Sequence, residues 1–161
     1  MKGPARERHD ARGLRFALLR SAFNAAVVDG LEAGARAALL ESGALEADLE
    51  VVTVPGAFEL PLGALAAARS GRVAAVVALG AVIRGETDHY EHIAREAAAG
   101  LSRVALETGV PVGFGVLTCE TEGQARARSS PGEGNKGAEA ARAALAMVHV
   151  LRELRQGPRR G

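Results

Sequence analysis

Hydrophobic and polar residues follow one another along the chain in blocks that predict strands and helices in alternation. Four short apolar runs, each bounded by glycine, proline or charged residues, predict strands at residues 14–20, 49–54, 73–79 and 111–118. Longer stretches with apolar residues three or four positions apart predict helices at residues 25–42, 58–69, 88–107, 120–128 and 135–155. We expect Asn24 to cap the first helix and Gly43 to end it.

Strands that alternate with helices predict a parallel sheet covered by helices on both faces. Residues 14–155 would form this single domain. Residues 1–13 mix glycine, proline and charge and are interpreted as a flexible N-terminal arm, and residues 156–161 as a basic, solvated tail. In such sheets ligands bind beyond the carboxyl ends of the strands, so the loops at that edge are the candidate site.

Composition narrows the classes of function. Of 161 residues, 48% are hydrophobic and 24% charged, while aromatic residues make up only 3%. The net charge of +1 provides no general attraction for nucleic acid or an anionic membrane. Cys119 is the single cysteine, which excludes an internal disulfide. The charged N-terminus has no signal-peptide pattern and no apolar run is long enough to span a membrane, so we expect a soluble cytoplasmic protein.

The stretch from Ala78 to Ala94 carries the strongest local signal. Its apolar run stops at Arg84-Gly85, and a helical pattern begins at once with His89 in the first turn. Free backbone N–H groups at such a turn favour an anion, and a histidine beside them can exchange a proton near neutral pH. The alternative is an ordinary strand-to-helix turn with a solvated histidine.

Two aromatic residues come directly after predicted strands, where loops are usually polar. Phe23 and Phe58 either stack a flat heterocycle or plug the edge of the sheet. A basic cluster of Arg126, Arg128 and Lys136 either holds a phosphate or forms a solvated helix end. His89 and His92, three residues apart, are a weak metal-ligand pattern because no cysteine or third histidine lies nearby.

Five motifs in one order connect these signals. They are FN at Phe23, VPGAFELP from Val54, GAVIRGETDHYEHIA from Gly80, PVGFGVLT from Pro111 and GNKG from Gly134. Over residues 14–155 the chain resembles the lumazine synthase family. The resemblance implies a flavodoxin-like, three-layer α/β/α sandwich on a four-stranded parallel sheet. It also implies an enzyme of riboflavin biosynthesis that condenses 5-amino-6-(D-ribitylamino)uracil with 3,4-dihydroxy-2-butanone 4-phosphate, without cofactor or metal.

The resemblance also assigns roles to residues. His89 would be the acid and base. Phe23 would stack the pyrimidine, Asn24 and Glu59 would hold the ribityl chain, and Lys136 would lie over the pyrimidine oxygens. The rest of the pyrimidine pocket would come from Ala57, Phe58, Ala81, Val82 and Ile83, and the phosphate site from Gly85, Glu86, Thr87 and Arg128. Glu86 departs from the small residue usual in that turn, and we expect its carboxylate to point away from the anion.

Assembly is a further expectation from the resemblance. Phe114 and Arg128 would enter the site from a neighbouring subunit, so a homopentamer is the minimum unit. The short, glycine-containing break at residues 129–134 favours closure of twelve pentamers into an icosahedral shell over free pentamers or decamers. The resemblance implies that such a shell would enclose riboflavin synthase. A flavin-binding carrier would share the sheet and the aromatic rings but would not need His89 beside an anion site. A storage or shell protein would not need His89 and Arg128 together.

Overall fold

A computed structural model describes residues 8–157 of the chain. The strands are β1 (Phe16–Ser21), β2 (Leu49–Val54), β3 (Ala75–Ile83) and β4 (Val112–Cys119). The helices are α1 (Ala25–Glu41), α2 (Leu60–Arg69), α3 (His89–Thr108), α4 (Glu122–Ser129) and α5 (Lys136–Gln156). Every predicted element is present, and the second strand has the predicted bounds.

The four strands form one parallel sheet in the order β2-β1-β3-β4. Helices α1, α4 and α5 bury their apolar residues against one face, and α2 and α3 against the other. Strand β3 is buried almost throughout because it lies inside the sheet and is covered on both faces. The expected three-layer α/β/α architecture is confirmed.

Three predictions need correction. Strand β3 runs to Ile83, four residues beyond its predicted end at residue 79. Asn24 precedes α1 but does not cap it, because its side chain accepts no backbone hydrogen bond of the helix and its amide instead donates to the Ala81 carbonyl at 2.9 Å. The second helix begins later than predicted, since Ala57–Glu59 forms a separate 3-10 turn before Leu60. Gly43, by contrast, ends α1 as predicted, with a positive φ of 105°.

Helices α1 and α5 approach so closely that only glycine fits at their contact. A side chain on Gly137 would overlap the Leu31 carbonyl, and one on Gly34 would overlap the amide of Asn135. Asn135 is 2% exposed and fixes this junction, since its Oδ1 accepts from Ala138 N–H and its Nδ2 donates to the Gly30 carbonyl at 3.0 Å. This face of the sheet is therefore closed by backbone-to-backbone packing.

The ends of the described chain are fixed to the same layer. Residues 1–7 of the predicted arm lie outside the described part, but Ala11 is buried and its N–H donates to the Ser42 carbonyl at 2.9 Å. The ring of His9 stacks on that of His149 with 5.2 Å between centroids. At the other end α5 runs to Gln156, and residues 158–161 of the predicted tail lie outside the described part.

Candidate functional site

A cavity of about 560 Å³ opens at the carboxyl edge of the sheet. It lies between the loop after β1, the turn before α2, the end of β3 and the first turns of α3. Its lining contains eleven of the fifteen predicted site residues: Phe23, Asn24, Ala57, Phe58, Glu59, Ala81, Val82, Ile83, Gly85, Thr87 and His89. Residues from three separate predicted motifs therefore meet in one cavity.

The cavity exists because β3 is longer than its neighbour β1. The pairing of β1 with β3 ends at Arg20 and Leu79, whereas β3 continues to Ile83 beside β4. After Ser21 the chain turns away through Phe23 and Asn24. Among the described residues, no strand therefore pairs with the last residues of β3 on the side of β1. The backbone N–H and C=O groups on that side face the cavity.

Aromatic rings form one half of the cavity. Of the four phenylalanines, Phe16 is fully buried in the core, while Phe23 and Phe58 are 70% and 58% exposed. The core gains little from two rings placed this way, so the plug interpretation of these residues is the weaker one. A flat heterocycle entering between the loop after β1 and the turn before α2 would meet both rings.

The other half is built by the loop from Arg84 to Asp88 and the start of α3. A side chain on Gly85 would meet no atom within 4 Å, so the backbone of this loop is open to a ligand. Asp88, the residue before α3, makes no side-chain cap. The N–H of His89 has only a long contact of 3.4 Å with the Thr87 hydroxyl. Backbone donors at this turn are therefore available to an anion.

Tyr90 also faces this half of the cavity and is the only tyrosine of the chain. Burial of the ring raises the pKa of the Tyr90 phenol, and the negative charges of Glu91 and Glu120 raise it further against the opposing effect of Arg84. The phenol is therefore kept neutral to higher pH than in a free peptide. Sequence reasoning did not select Tyr90, Gly56 or Ile93 as site residues, although all three lie in the quoted motifs. For Tyr90 the available signal was that it is the single tyrosine of the chain.

Four predicted site residues do not line the cavity. Glu86 lies in the loop between Gly85 and Thr87 but its side chain is not part of the lining. Phe114 is 49% exposed on β4 and pairs with Ala78, three residues before the cavity begins at Ala81, which is about 10 Å along the strand.

Arg128 and Lys136 bond within their own helices. The Arg128 guanidinium donates to the Gln124 carbonyl at 3.0 Å, and the Lys136 ammonium lies 2.8 Å from the Glu139 carboxylate. Arg126, the third member of the predicted basic cluster, pairs with Glu122 at 2.9 Å. All of these contacts are on the surface, so they leave both side chains able to reorient towards an anion.

Two features are absent from residues 8–157, the described part of the chain. Within this part of the chain, no three His, Cys, Asp or Glu side chains are grouped so as to hold a metal ion. Nor is any of its helices both long and apolar enough to cross a membrane. The chemistry available at the cavity is that of aromatic surfaces, backbone donors and acceptors, the Glu59 carboxylate and the His89 imidazole.

Known proteins match this chain over most of its length. The family model described as 6,7-dimethyl-8-ribityllumazine synthase matches residues 13–152. A protein of that name from Nitratidesulfovibrio vulgaris is 47% identical over 145 residues, 90% of this chain and 93% of its own. One from Stenotrophomonas maltophilia is 51% identical over 140 residues, 87% of this chain and 90% of its own. A de novo designed Rossmann fold protein has 18% identity and a TM-score of 0.41 over 70% of this chain, too low a likeness to support any conclusion.

Proposed function

The chain belongs to the 6,7-dimethyl-8-ribityllumazine synthase family, and we propose that the cavity at the carboxyl edge of its sheet carries out the family's reaction. The protein is a transferase of riboflavin biosynthesis. It condenses 5-amino-6-(D-ribitylamino)uracil with 3,4-dihydroxy-2-butanone 4-phosphate and releases phosphate and water. The observation that supports the location is the meeting of eleven predicted residues in one cavity.

The two halves of the cavity suit the two substrates. The pyrimidine would stack on Phe23 beside Phe58, with its polar edge against the open backbone of residues 81–83. Its ribityl chain would lie near Glu59, whose carboxylate accepts hydrogen bonds from hydroxyl groups. The phosphate of the butanone would lie on the N–H groups of the loop from Gly85 to Thr87. The two reacting ends would then meet between the halves.

His89 is the residue placed to move protons between these ends. Its imidazole is exposed at the cavity wall and takes no hydrogen bond from another described side chain. Attack of the amine on the ketone, loss of phosphate and closure of the ring each require a proton to be removed from one atom and given to another. A neutral imidazole takes the first proton and, once charged, returns it, so one residue serves all three steps.

We further propose that each site is completed by a second copy of the chain. Phe114 lies about 10 Å below the cavity of its own chain, measured along the sheet. A half-exposed ring in the middle of a strand is explained if it covers the cavity of a neighbour. Arg128 would enter with it and bind the phosphate bidentately, and Lys136 would lie over the pyrimidine oxygens. A ring of subunits provides such head-to-tail contacts, and a homopentamer is the proposed unit.

Closure of pentamers into an icosahedral shell remains a prediction from the break between α4 and α5. Gly132 and Gly134 there have φ values of 99° and 90°, which other residues rarely adopt, so this turn depends on glycine. The tight turn supports a shell of twelve pentamers, and enclosure of riboflavin synthase would follow from it. A cytoplasmic location belongs to the same proposal.

The reaction itself tests the activity. Purified protein mixed with both substrates should release one phosphate for each fluorescent lumazine formed, and protein without the butanone phosphate should produce neither. Absence of accelerated product formation over the uncatalysed mixture would overturn the proposal.

A mixing experiment tests the shared site. Protein carrying His89→Ala and protein carrying Arg128→Ala, each impaired alone, should regain activity when unfolded and reassembled together. In a random mixture about a quarter of the sites would combine an intact His89 with a neighbour's intact Arg128. Activity no higher than that of the separate variants would show that both residues serve the same chain's site.

A further inference from the structure

The last residues of β3 have an open edge that the sheet does not satisfy. Along a strand, the N–H and C=O groups of successive residues point to alternate sides. Those of Val82 and Arg84 point towards β4. Those of Ala81 and Ile83 point to the opposite side, where β1 has already ended. The N–H of Arg84 donates to the Cys119 carbonyl of β4 at 2.9 Å, in agreement with this alternation. The carbonyl of Ala81 is thus the first acceptor on the open edge.

Asn24 occupies the position that a strand would have taken. Its Nδ2 donates to the Ala81 carbonyl at 2.9 Å, a bond between residues 57 apart in the sequence. Since a carbonyl oxygen can only accept, the nitrogen of the amide must face it. A side-chain N–H therefore replaces the missing ladder donor at one place, and the next residue on this edge, Ile83, keeps its peptide groups towards the cavity.

This arrangement requires an uncommon backbone. Asn24 has φ 57° and ψ 49° and is the only residue other than glycine with a positive φ between residues 8 and 157. Asparagine tolerates this left-handed conformation better than most residues do. The carbonyl of Asn24 accepts the first hydrogen bond of α1, from Val28 N–H at 3.0 Å. The conformation thus turns the chain away from β3 into the helix while the side chain reaches back.

We propose that Asn24 is a positioning residue for the pyrimidine ring. Its bond to Ala81 sets the distance between the ring of its neighbour Phe23 and the open peptide groups of Ile83, and these are the two surfaces between which the heterocycle fits. This role rests on the proposed function and differs from the ribityl contact that the family resemblance assigns to Asn24. One N–H of the Asn24 amide is engaged with the Ala81 carbonyl and fixes the orientation of the side chain. In this proposal that bond, and not a contact with the ribityl hydroxyls, is what the amide contributes to binding.

Two ligands separate the roles. Asn24→Gly keeps the left-handed backbone and removes only the amide. Calorimetric titration should show that it weakens binding of 5-amino-6-(D-ribitylamino)uracil and of 5,6-diaminouracil, which lacks the ribityl chain, by the same factor of about five, as expected for one neutral hydrogen bond. If only the ribitylated ligand were affected, Asn24 would be a ribityl contact. If neither were affected, the bond to Ala81 would position nothing. Either result overturns the proposal.

A second variant and a second ligand control for general damage. Asn24→Asp keeps tolerance of the left-handed conformation but turns a carboxylate towards the Ala81 carbonyl, so it should weaken both uracils at least as much as Asn24→Gly. Inorganic phosphate, for which the proposed function assigns the other half of the cavity, should bind both variants as it binds the unaltered protein. Equal loss of phosphate affinity, or unchanged uracil affinity in Asn24→Asp, contradicts the positioning role. Failure of the unaltered protein to convert the two substrates would instead remove the proposed function.

Discussion

The two faces of strand β4 are covered to very different degrees. On one face Gly113 and Gly115 lie directly under α5, and a Cβ added to Gly113 would overlap the Ala140 carbonyl. On the opposite face the ring of Phe114, between these two glycines in the sequence, is 49% exposed. One strand thus packs tightly against a helix on one side and carries a half-exposed aromatic ring on the other.

The difference indicates that one face of β4 serves stability and the other serves function. The face of β4 under α5, here called the closed face, has no space for a ligand or a partner, so its residues contribute only to folding. The face with Phe114 continues upward to the cavity, where two more phenylalanines are exposed. Exposed rings stabilise an isolated chain little, and we interpret them as surfaces kept for the substrate and the neighbouring subunit. Substitutions on the closed face should therefore lower the melting temperature, and substitutions on the face with Phe114 and the cavity should lower activity.

The largest effect is expected in the helix layer that covers the closed face, at the contact between α1 and α5. Gly137→Ala would place a methyl group against the Leu31 carbonyl and should destabilise the fold by about 3 kcal/mol, the upper end for overpacking, which lowers the melting temperature by roughly 10 °C. The matched control is Gly123→Ala on α4, where the nearest atom would be 3.9 Å away and replacement of a helical glycine should stabilise slightly. Melting curves at one protein concentration compare the two, and equal melting temperatures would contradict the packing argument.

The next effect concerns the proposed phosphate contact and should spare stability. Arg128→Ala removes a charge-assisted, bidentate interaction, so the KM for the butanone phosphate should rise about tenfold or more while the KM for the uracil changes little. Arg128→Lys should restore only part of the affinity, because an ammonium lacks the planar fork. Steady-state kinetics with each substrate varied in turn measure both values. Equal changes in the two KM values would show that Arg128 does not bind the phosphate.

His89→Ala should change turnover rather than binding. Loss of a general acid and base costs between about tenfold and ten-thousandfold, and we expect the low end because part of this condensation proceeds without a catalyst. The melting temperature should stay unchanged, since His89 is exposed. His92→Ala, one turn later on the same exposed side of α3, is the matched control and should keep full turnover. An unaltered rate in His89→Ala removes that residue from the mechanism.

The smallest effect concerns the titration of the Tyr90 phenol in the cavity wall. Because burial and the charge of Glu91 raise the pKa of the Tyr90 phenol, tyrosinate absorbance of the folded protein should appear at higher pH than in the unfolded chain. The folded pKa is the higher one, so any stability that the neutral phenol contributes is complete below the unfolded pKa and is lost as the pH rises through the folded pKa. Glu91→Gln should lower the midpoint and Arg84→Gln should raise it. The reverse order would show that charges other than Glu91 and Arg84 determine the pKa of Tyr90.

The order of elements was predictable because it depends on local patterns. Apolar spacing and glycine breaks gave strands and helices whose ends lie within about two residues of those observed, except that β3 runs to Ile83, four residues beyond its predicted end. The parallel sheet followed from alternation alone. The same patterns pointed to Phe23, Phe58 and His89, the resemblance added the other site residues, and the cavity lining contains most of the full set.

What the sequence did not reveal depends on distant neighbours. Asn24 has the residue type and position of a helix cap, yet its amide bonds to Ala81, because β1 ends before β3 and leaves an acceptor open there. Asn135 entered the sequence analysis only as part of the GNKG motif, but it is the buried centre of the contact between α1 and α5. In both cases the deciding partner lies more than fifty residues away in the chain.

That second bond has a consequence for synthesis of the protein. The amide of Asn135 and the carbonyl of Gly30 are separated by 105 residues, so the groove on α1 that receives α5 is formed early and filled last. While the chain is still leaving the ribosome, the apolar side of α1, including Leu31, has no helix α5 to cover it. A nascent chain stalled before residue 135 therefore carries an exposed hydrophobic groove, the kind of surface that chaperones bind and that promotes aggregation.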